Sequence, residues 1–228
     1  MGDSAKPYVS IVIPTFNEVA NIAEVLSGIR RSMRRYSYEI IIVDRHSPDG
    51  TAEKARALGA CVLYDDIGKG SALVKGFRSA RGKVIISMDA DLSNMPNELK
   101  LLIAGIESGH DICMGSRFLA GGGTGDMPAH RRLGNKFFVA LVNILYGSHY
   151  TDLCYGYRSF ARGVAQKLHL KETGFGIETE INIKAQKRHL RVLEVPSYEK
   201  PRVKGEAKLR GLGDGYVIFR TILRNLSA

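Results

Sequence analysis

The sequence predicts an α/β fold built on a mostly parallel sheet, and three observations carry that reading. Short apolar runs at residues 8–14, 39–44, 61–64 and 84–89 alternate with helical patterns near 18–35, 51–59 and 69–81, the sequence form of repeated strand–helix–strand units. The first, second and fourth runs stop in polar clusters, and such sheets meet their ligands beyond the carboxyl ends of the strands. A length of 228 residues with 44% apolar content suffices for one sizeable core.

Taken in order, the first strand runs into Pro14-Thr-Phe-Asn-Glu18 and the second into Asp44-Arg-His-Ser-Pro-Asp-Gly-Thr51. The third precedes Gly68-Lys-Gly70, and the fourth ends in Asp89-Ala-Asp91. In an extended chain residues i and i+2 face the same side, so Asp89 and Asp91 are expected to project together. Two like charges that close call for a cation, and a hard divalent ion takes oxygen ligands of this kind. The plainer alternative gives one Asp to capping a helix that starts near Pro96 and leaves the other solvated.

Residues 111–117 read as a further strand. Ala120-Gly-Gly-Gly-Thr-Gly125 is too rich in glycine for a fixed element and is expected to form a mobile, lid-like loop. A helix over 131–146 follows, with a basic start and an almost wholly apolar body, about half the length of a membrane span. It is either a core helix or an interfacial one whose apolar face dips into lipid. Residues 216–226 form a second basic amphipathic stretch.

The 33 basic and 23 acidic residues give a net charge of +10, which suits a phosphate-bearing partner: nucleic acid, anionic head groups or a phosphorylated small molecule. Residues 184–210 alone hold nine Lys/Arg against three Asp/Glu. Cys61, Cys113 and Cys154 are odd in number and widely spaced, which argues against a disulfide framework and a zinc site and predicts buried thiols in a reducing compartment. His46, His130 and His189 lack metal-ligand spacing and are expected on the surface or in loops. No signal peptide and no apolar run of about 20 residues is present, so a cytoplasmic chain is expected.

Seven motifs fall in one order: Val9-Ser-Ile-Val-Ile-Pro-Thr-Phe-Asn-Glu18, Ile42-Val-Asp-Arg-His-Ser-Pro-Asp-Gly-Thr51, Gly68-Lys-Gly70, Met88-Asp-Ala-Asp91, Gly115-Ser-Arg117, Asp152-Leu-Cys-Tyr-Gly-Tyr-Arg158 and Arg202-Val-Lys-Gly-Glu-Ala-Lys208. Together they resemble the family 2 glycosyltransferases of GT-A fold, a Rossmann-like, mostly parallel sheet flanked by helices. Within that family they resemble the dolichyl- or polyprenyl-phosphate mannose synthases and their glucosyl relatives, over residues 8–210.

The resemblance implies an inverting transfer of mannose from GDP-mannose to a dolichyl or polyprenyl phosphate, by an enzyme peripheral to the inner face of the cell membrane. It places a divalent metal, Mg²⁺ or Mn²⁺, on Asp89 and Asp91. It lays the nucleotide sugar against Pro14, Phe16, Glu18, Val43, Asp44, Arg45, Lys69, Ala90 and Ser93. Arg117 and Arg131 match positions that bind acceptor phosphate and, with the two aspartates, make up the expected catalytic set. Arg202 and Lys208 match positions that close over the diphosphate. A phosphate monoester has a second pKa of about 6 and is its own nucleophile near neutral pH, so no general base is needed. Asp152, Glu178 and Glu180 are then structural or orienting.

Two departures stand out: Phe16 replaces a common Tyr, and Arg45 replaces a second Asp. The chain is expected to be a single catalytic domain with a donor half at 8–118, an acceptor half at 119–210 and a C-terminal amphipathic helix at 211–228, beyond which relatives carry membrane segments. The close rival is a UDP-glucose-using polyprenyl-phosphate transferase. The distant one is a non-catalytic nucleotide- or RNA-binding module, opposed by the intact Asp89-Ala-Asp91 and the lack of an aromatic-rich RNA-binding strand. Nucleic acid is not an expected partner.

Overall fold

The computed structural model describes residues 6–125, 127–201 and 212–226. Along the chain lie β1 (Val9–Thr15), α1 (Ile22–Ser32), β2 (Tyr38–Asp44), α2 (Thr51–Ala57), β3 (Cys61–Tyr64), α3 (Lys69–Ser79), β4 (Val84–Ser87) and α4 (Leu99–Glu107). After them come β5 (Ile112–Ser116), β6 (Gly123–Thr124), α5 (Ala129–Tyr146), β7 (Arg158–Ala161), α6 (Val164–Lys167), α7 (Ile177–Lys187), β8 (Val192–Pro196), β9 (Tyr198–Glu199) and α8 (Leu212–Arg224). Seven strands form one sheet in the order β3-β2-β1-β4-β7-β5-β8. Only β7 runs against its neighbours, so the sheet is mostly parallel as expected. It draws strands from both the N-terminal and the C-terminal halves.

Strand periodicity of two divides the core. Val9, Ile11 and Ile13 of β1 face Val25, Leu26 and Ile29 of α1 and Leu102 and Ile103 of α4. Val12, Ile41 and Val43 face the other way, onto Leu73 and Phe77 of α3 and Ile177 and Ile181 of α7. A helix–sheet–helix sandwich results. A third cluster, including Met114, Val142, Ile183 and Ile222, ties α5, α7 and α8 together beside the sheet.

The expected strands lie within one or two residues of those observed, and α1 begins four residues later than residue 18 because Glu18 O first accepts Asn21 N and Ile22 N. Three expectations need correction. The fourth strand stops at Ser87, so Asp89 and Asp91 lie in a turn beyond it rather than in extended chain; Leu92 there has φ 66°, the left-handed region that costs a branched side chain strain.

The glycine-rich segment is not a loop throughout but contains a short strand. Gly123 and Thr124 pair in parallel with Tyr198 and Glu199, and a Cβ on Gly122 would stand 2.5 Å from Ser116 O, so glycine serves close backbone approach. Lastly, Cys61 is exposed because it opens β3, the edge strand, whereas burial pushes Cys113 and Cys154 up to about 12.

Candidate active site

The register Thr15↔Asp44 between β1 and β2 brings both carboxyl ends to one level, and the turn after β4 lies beside them. A cleft of about 1740 Å³ opens there. Pro14, Phe16, Glu18, Arg45, Lys69, Asp89, Ala90, Asp91, Ser93, Arg117 and Arg131 all line it, so most of the residues expected at the site converge. Val43 and Asp44 are not among the lining. Val43 is buried against α3, and the fully buried Asp44 accepts hydrogen bonds from Thr15 Oγ1, Ser47 N and Ser47 Oγ, each at 2.7 Å. Asp44 therefore orders the turn that carries Arg45 to the cleft mouth, where its guanidinium lies 5.4 Å from the centre of the Phe16 ring. Arg202 and Lys208 lie outside the described residues.

Asp91 Oδ1 accepts Ser93 N at 3.1 Å and Ser93 Oγ at 2.6 Å, and Asp89 N donates to Asn94 Oδ1 at 2.8 Å. The turn is thus fixed by its own short polar side chains. Lys69 Nζ stands 2.9 Å from Asp89 Oδ1 and 2.9 Å from Glu178 Oε1. Burial alone would depress the lysine pKa, but the two carboxylates outweigh it and hold the ammonium above the ordinary lysine value. Lys69 opens α3, whose next two amides, Gly70 N and Ser71 N, donate to Thr173 O. Any Cβ on Gly70 would collide with Glu172 O, so this docking requires glycine.

Among the described residues no three His, Cys, Asp or Glu side chains form a ready-made metal cage. Asp89 and Asp91 nonetheless fit a hard divalent cation: they offer oxygen alone, and an ion there would complete its shell with diphosphate oxygens and water, as Mg²⁺ commonly does.

Arg117 is buried rather than open to solvent. Its Nε and Nη2 donate to Asp152 at 2.7 and 2.9 Å, and Nη1 reaches Glu199 Oε1 at 3.1 Å. The guanidinium also lies 4.7 Å from the centre of the Tyr155 ring. Burial alone would lower its pKa, but Asp152 and then Glu199 hold it above the usual arginine value. Asp152 is accordingly orienting, as expected, and so is Glu180, which accepts Lys171 N and Glu172 N and pairs with Lys184. His46 stacks on Tyr64 and His189 sits in an exposed turn, but His130 lines the cleft beside Arg131.

The sequence reading missed Asn135 and Phe175, and it did not place Glu178 against Lys69. Asn135 lies one turn after Arg131 on the same face of α5, is 5% exposed, accepts Leu153 N at 3.3 Å and, among the described residues, leaves Nδ2 without a partner in the cleft wall. The i, i+4 spacing from Arg131 was the available signal. The same cleft is also lined by apolar side chains of α5 and α8: Leu133, Phe137, Phe138, Tyr216, Ile218 and Phe219. Leu133 and Phe137 are 71 and 59% exposed, so α5 is not a wholly buried core helix; Tyr216 of α8 is 66% exposed. No helix among the described residues is long and apolar enough to cross a membrane.

Residues 10–168 match glycosyl transferase family 2. The dolichol-phosphate mannosyltransferase of Pyrococcus furiosus is 36% identical over 89% of this chain, which spans only 59% of that relative's length. A polyprenol monophosphomannose synthase of Mycolicibacterium smegmatis is 30% identical over 92% of this chain and 84% of its own. In fold, the chain is similar to glucosyl-3-phosphoglycerate synthase of Mycobacterium tuberculosis, solved with Mn²⁺, UDP and glucosyl-3-phosphoglycerate: TM-score 0.76 at 21% identity, covering 97% of this chain and 80% of that one. The GT-A architecture expected from sequence is therefore present.

Proposed function

The chain belongs to glycosyl transferase family 2, and from that premise we propose that it transfers mannose from GDP-mannose to the phosphate of a dolichyl or polyprenyl lipid, with inversion, at a membrane surface. The observation that carries this reading is that one cleft is lined both by charged groups, the Asp89/Asp91 pair and Arg131, and by apolar side chains of α5 and α8. A nucleotide diphosphate suits the first and a prenyl chain the second. The names of the 36% and 30% identical relatives point to the same acceptor class.

In this reading Phe16 and Arg45 hold the base. The fork of donors on Arg45 matches O6 and N7 of guanine, while adenine offers a clashing N6 donor. A divalent ion on Asp89 and Asp91 would neutralise the leaving diphosphate, in keeping with the Mn²⁺ of the fold relative. Arg131 and the Asn135 Nδ2, unpartnered among the described residues, orient the acceptor phosphate at the first turns of α5. A phosphate oxygen of the acceptor forms the new bond to the anomeric carbon as the sugar–diphosphate bond breaks, and the electron pair leaves with GDP. No protein base takes part, since Asp152 is held by Arg117 and Glu178 by Lys69. One displacement inverts the anomeric centre.

Thermal shifts with GDP-mannose, UDP-glucose and UDP-GlcNAc, each with Mn²⁺ or Mg²⁺, test the donor, because a ligand bound only by the folded state raises the melting temperature. GDP-mannose should give the largest shift. A larger shift with UDP-glucose would replace mannose by glucose in this assignment.

A further inference from the structure

Lys69 occupies an unusual place for a residue on the donor side of the cleft. Its ammonium rests on Asp89, one of the two carboxylates that suit a metal, and on the buried Glu178. We propose that Lys69 is a resident counter-ion that suppresses divalent-metal binding to the Asp89/Asp91 pair until a nucleoside diphosphate arrives, so that metal and nucleotide enter together. The proposal rests on the donor reading given above.

Three features support it. The ammonium covers Asp89 Oδ1 at 2.9 Å, so a divalent ion approaching that carboxylate meets a cation in direct contact with it. The lysine also cannot swing away at little cost. Glu178 has a side chain 5% exposed, and departure of Lys69 would strip this nearly buried carboxylate of its ion pair. Its backbone is fixed as well, because the start of α3 is docked through Gly70 N and Ser71 N on Thr173 O. A diphosphate changes the balance by adding negative oxygens that are themselves metal ligands. Asp89 is thereby kept oriented by Lys69 and Asp91 by Ser93, and the pair is unable to hold an ion tightly alone.

The test counts free Mn²⁺ by electron paramagnetic resonance while the full chain is titrated at fixed ionic strength, with and without GDP. Without nucleotide, Lys69→Met should bind Mn²⁺ at least about tenfold more tightly than wild type, the scale expected for removing a contacting cation. The gain in Mn²⁺ affinity on adding GDP should shrink accordingly. Because Lys69→Met leaves Glu178 buried without its partner, Lys69→Met/Glu178→Gln is measured beside it, with circular dichroism confirming the fold, and should show the same tightening. A structural role alone would predict weaker binding, not tighter. Unchanged or weaker nucleotide-free affinity in the folded variants overturns the proposal. If GDP strengthens Mn²⁺ binding to wild type while the variants show no tightening, only the role of Lys69 falls. If GDP never strengthens it, the metal-assisted donor reading falls too.

Discussion

Replacing Asp152 by Asn should destabilise the fold severely, although it removes no more than a charge. Asp152 is fully buried and accepts Arg117 Nε at 2.7 Å, Arg117 Nη2 at 2.9 Å and the backbone amides of Arg117 and Cys154 at 3.2 and 3.3 Å. Asparagine keeps one acceptor but turns an NH₂ group toward a donor. The guanidinium, with its side chain 5% exposed, would then rely on Glu199 through Nη1. Breaking a buried pair from one side costs about 3–5 kcal/mol. The surviving amide oxygen and Glu199 offset part of it, leaving about 2–4 kcal/mol, or a fall of roughly 4–16 °C in Tm for a chain of this size. Urea unfolding followed by far-ultraviolet circular dichroism measures the loss, and an unchanged m-value would attribute it to the native state. Glu199→Gln should lose less, because that side chain is 15% exposed. If Asp152→Asn stays within about 0.5 kcal/mol of wild type, as ordinary surface changes do, Arg117 is not the buried strut described here.

Further outcomes follow from the site and the sheet. Anionic liposomes should float the protein at low salt, and Leu133→Glu with Phe137→Glu should weaken flotation because both side chains are exposed on the cleft side of α5; absence of flotation for wild type contradicts the interfacial reading. In competition binding wild type should prefer GDP over UDP and ADP, and Arg45→Ala should narrow that preference by about tenfold, the value of one good base contact; a wild-type preference for UDP contradicts it. Burial alone would raise the Glu39 carboxyl, but Ser10 and then the Arg81 amide and guanidinium hold it below its usual 4.5. Its contribution to stability is therefore present above that value and lost as pH falls through the depressed one. Glu39→Gln should lower Tm at neutral pH but not in strong acid, and an equal loss at both would refute the assignment.

Much of the N-terminal half was legible because strands β1 to β4 alternate with amphipathic helices and end in side chains whose chemistry is plain. The C-terminal half was less so. In α7 all residues from Ile177 to Ala185 are buried, including Glu178, Thr179, Glu180, Asn182 and Lys184, so no apolar stripe marks it as a helix. Two of its polar groups meet partners distant in sequence, Asn182 with Arg158 and Glu178 with Lys69. The same holds for β7, whose first residue is a fully buried arginine. Arg117 could be singled out as a cation, but its partners lie 35 and 82 residues away, and only the fold reveals that they engage it. Glycines 121–123 and 125 were misread because flexibility and close packing favour the same residue; the neighbour that crowds Gly122, Ser116 O, becomes visible only in three dimensions.

The central claim is tested most directly by mixing the protein with radiolabelled GDP-mannose, dolichyl phosphate in detergent and Mn²⁺ or Mg²⁺, then extracting lipid. Mannose should move into an organic-soluble, acid-labile phosphoryl lipid, and this transfer should fall by orders of magnitude in Asp91→Ala or with chelator. Absence of labelled lipid from GDP-mannose under conditions where UDP-glucose yields it, or full transfer by Asp91→Ala in chelator, would contradict the account.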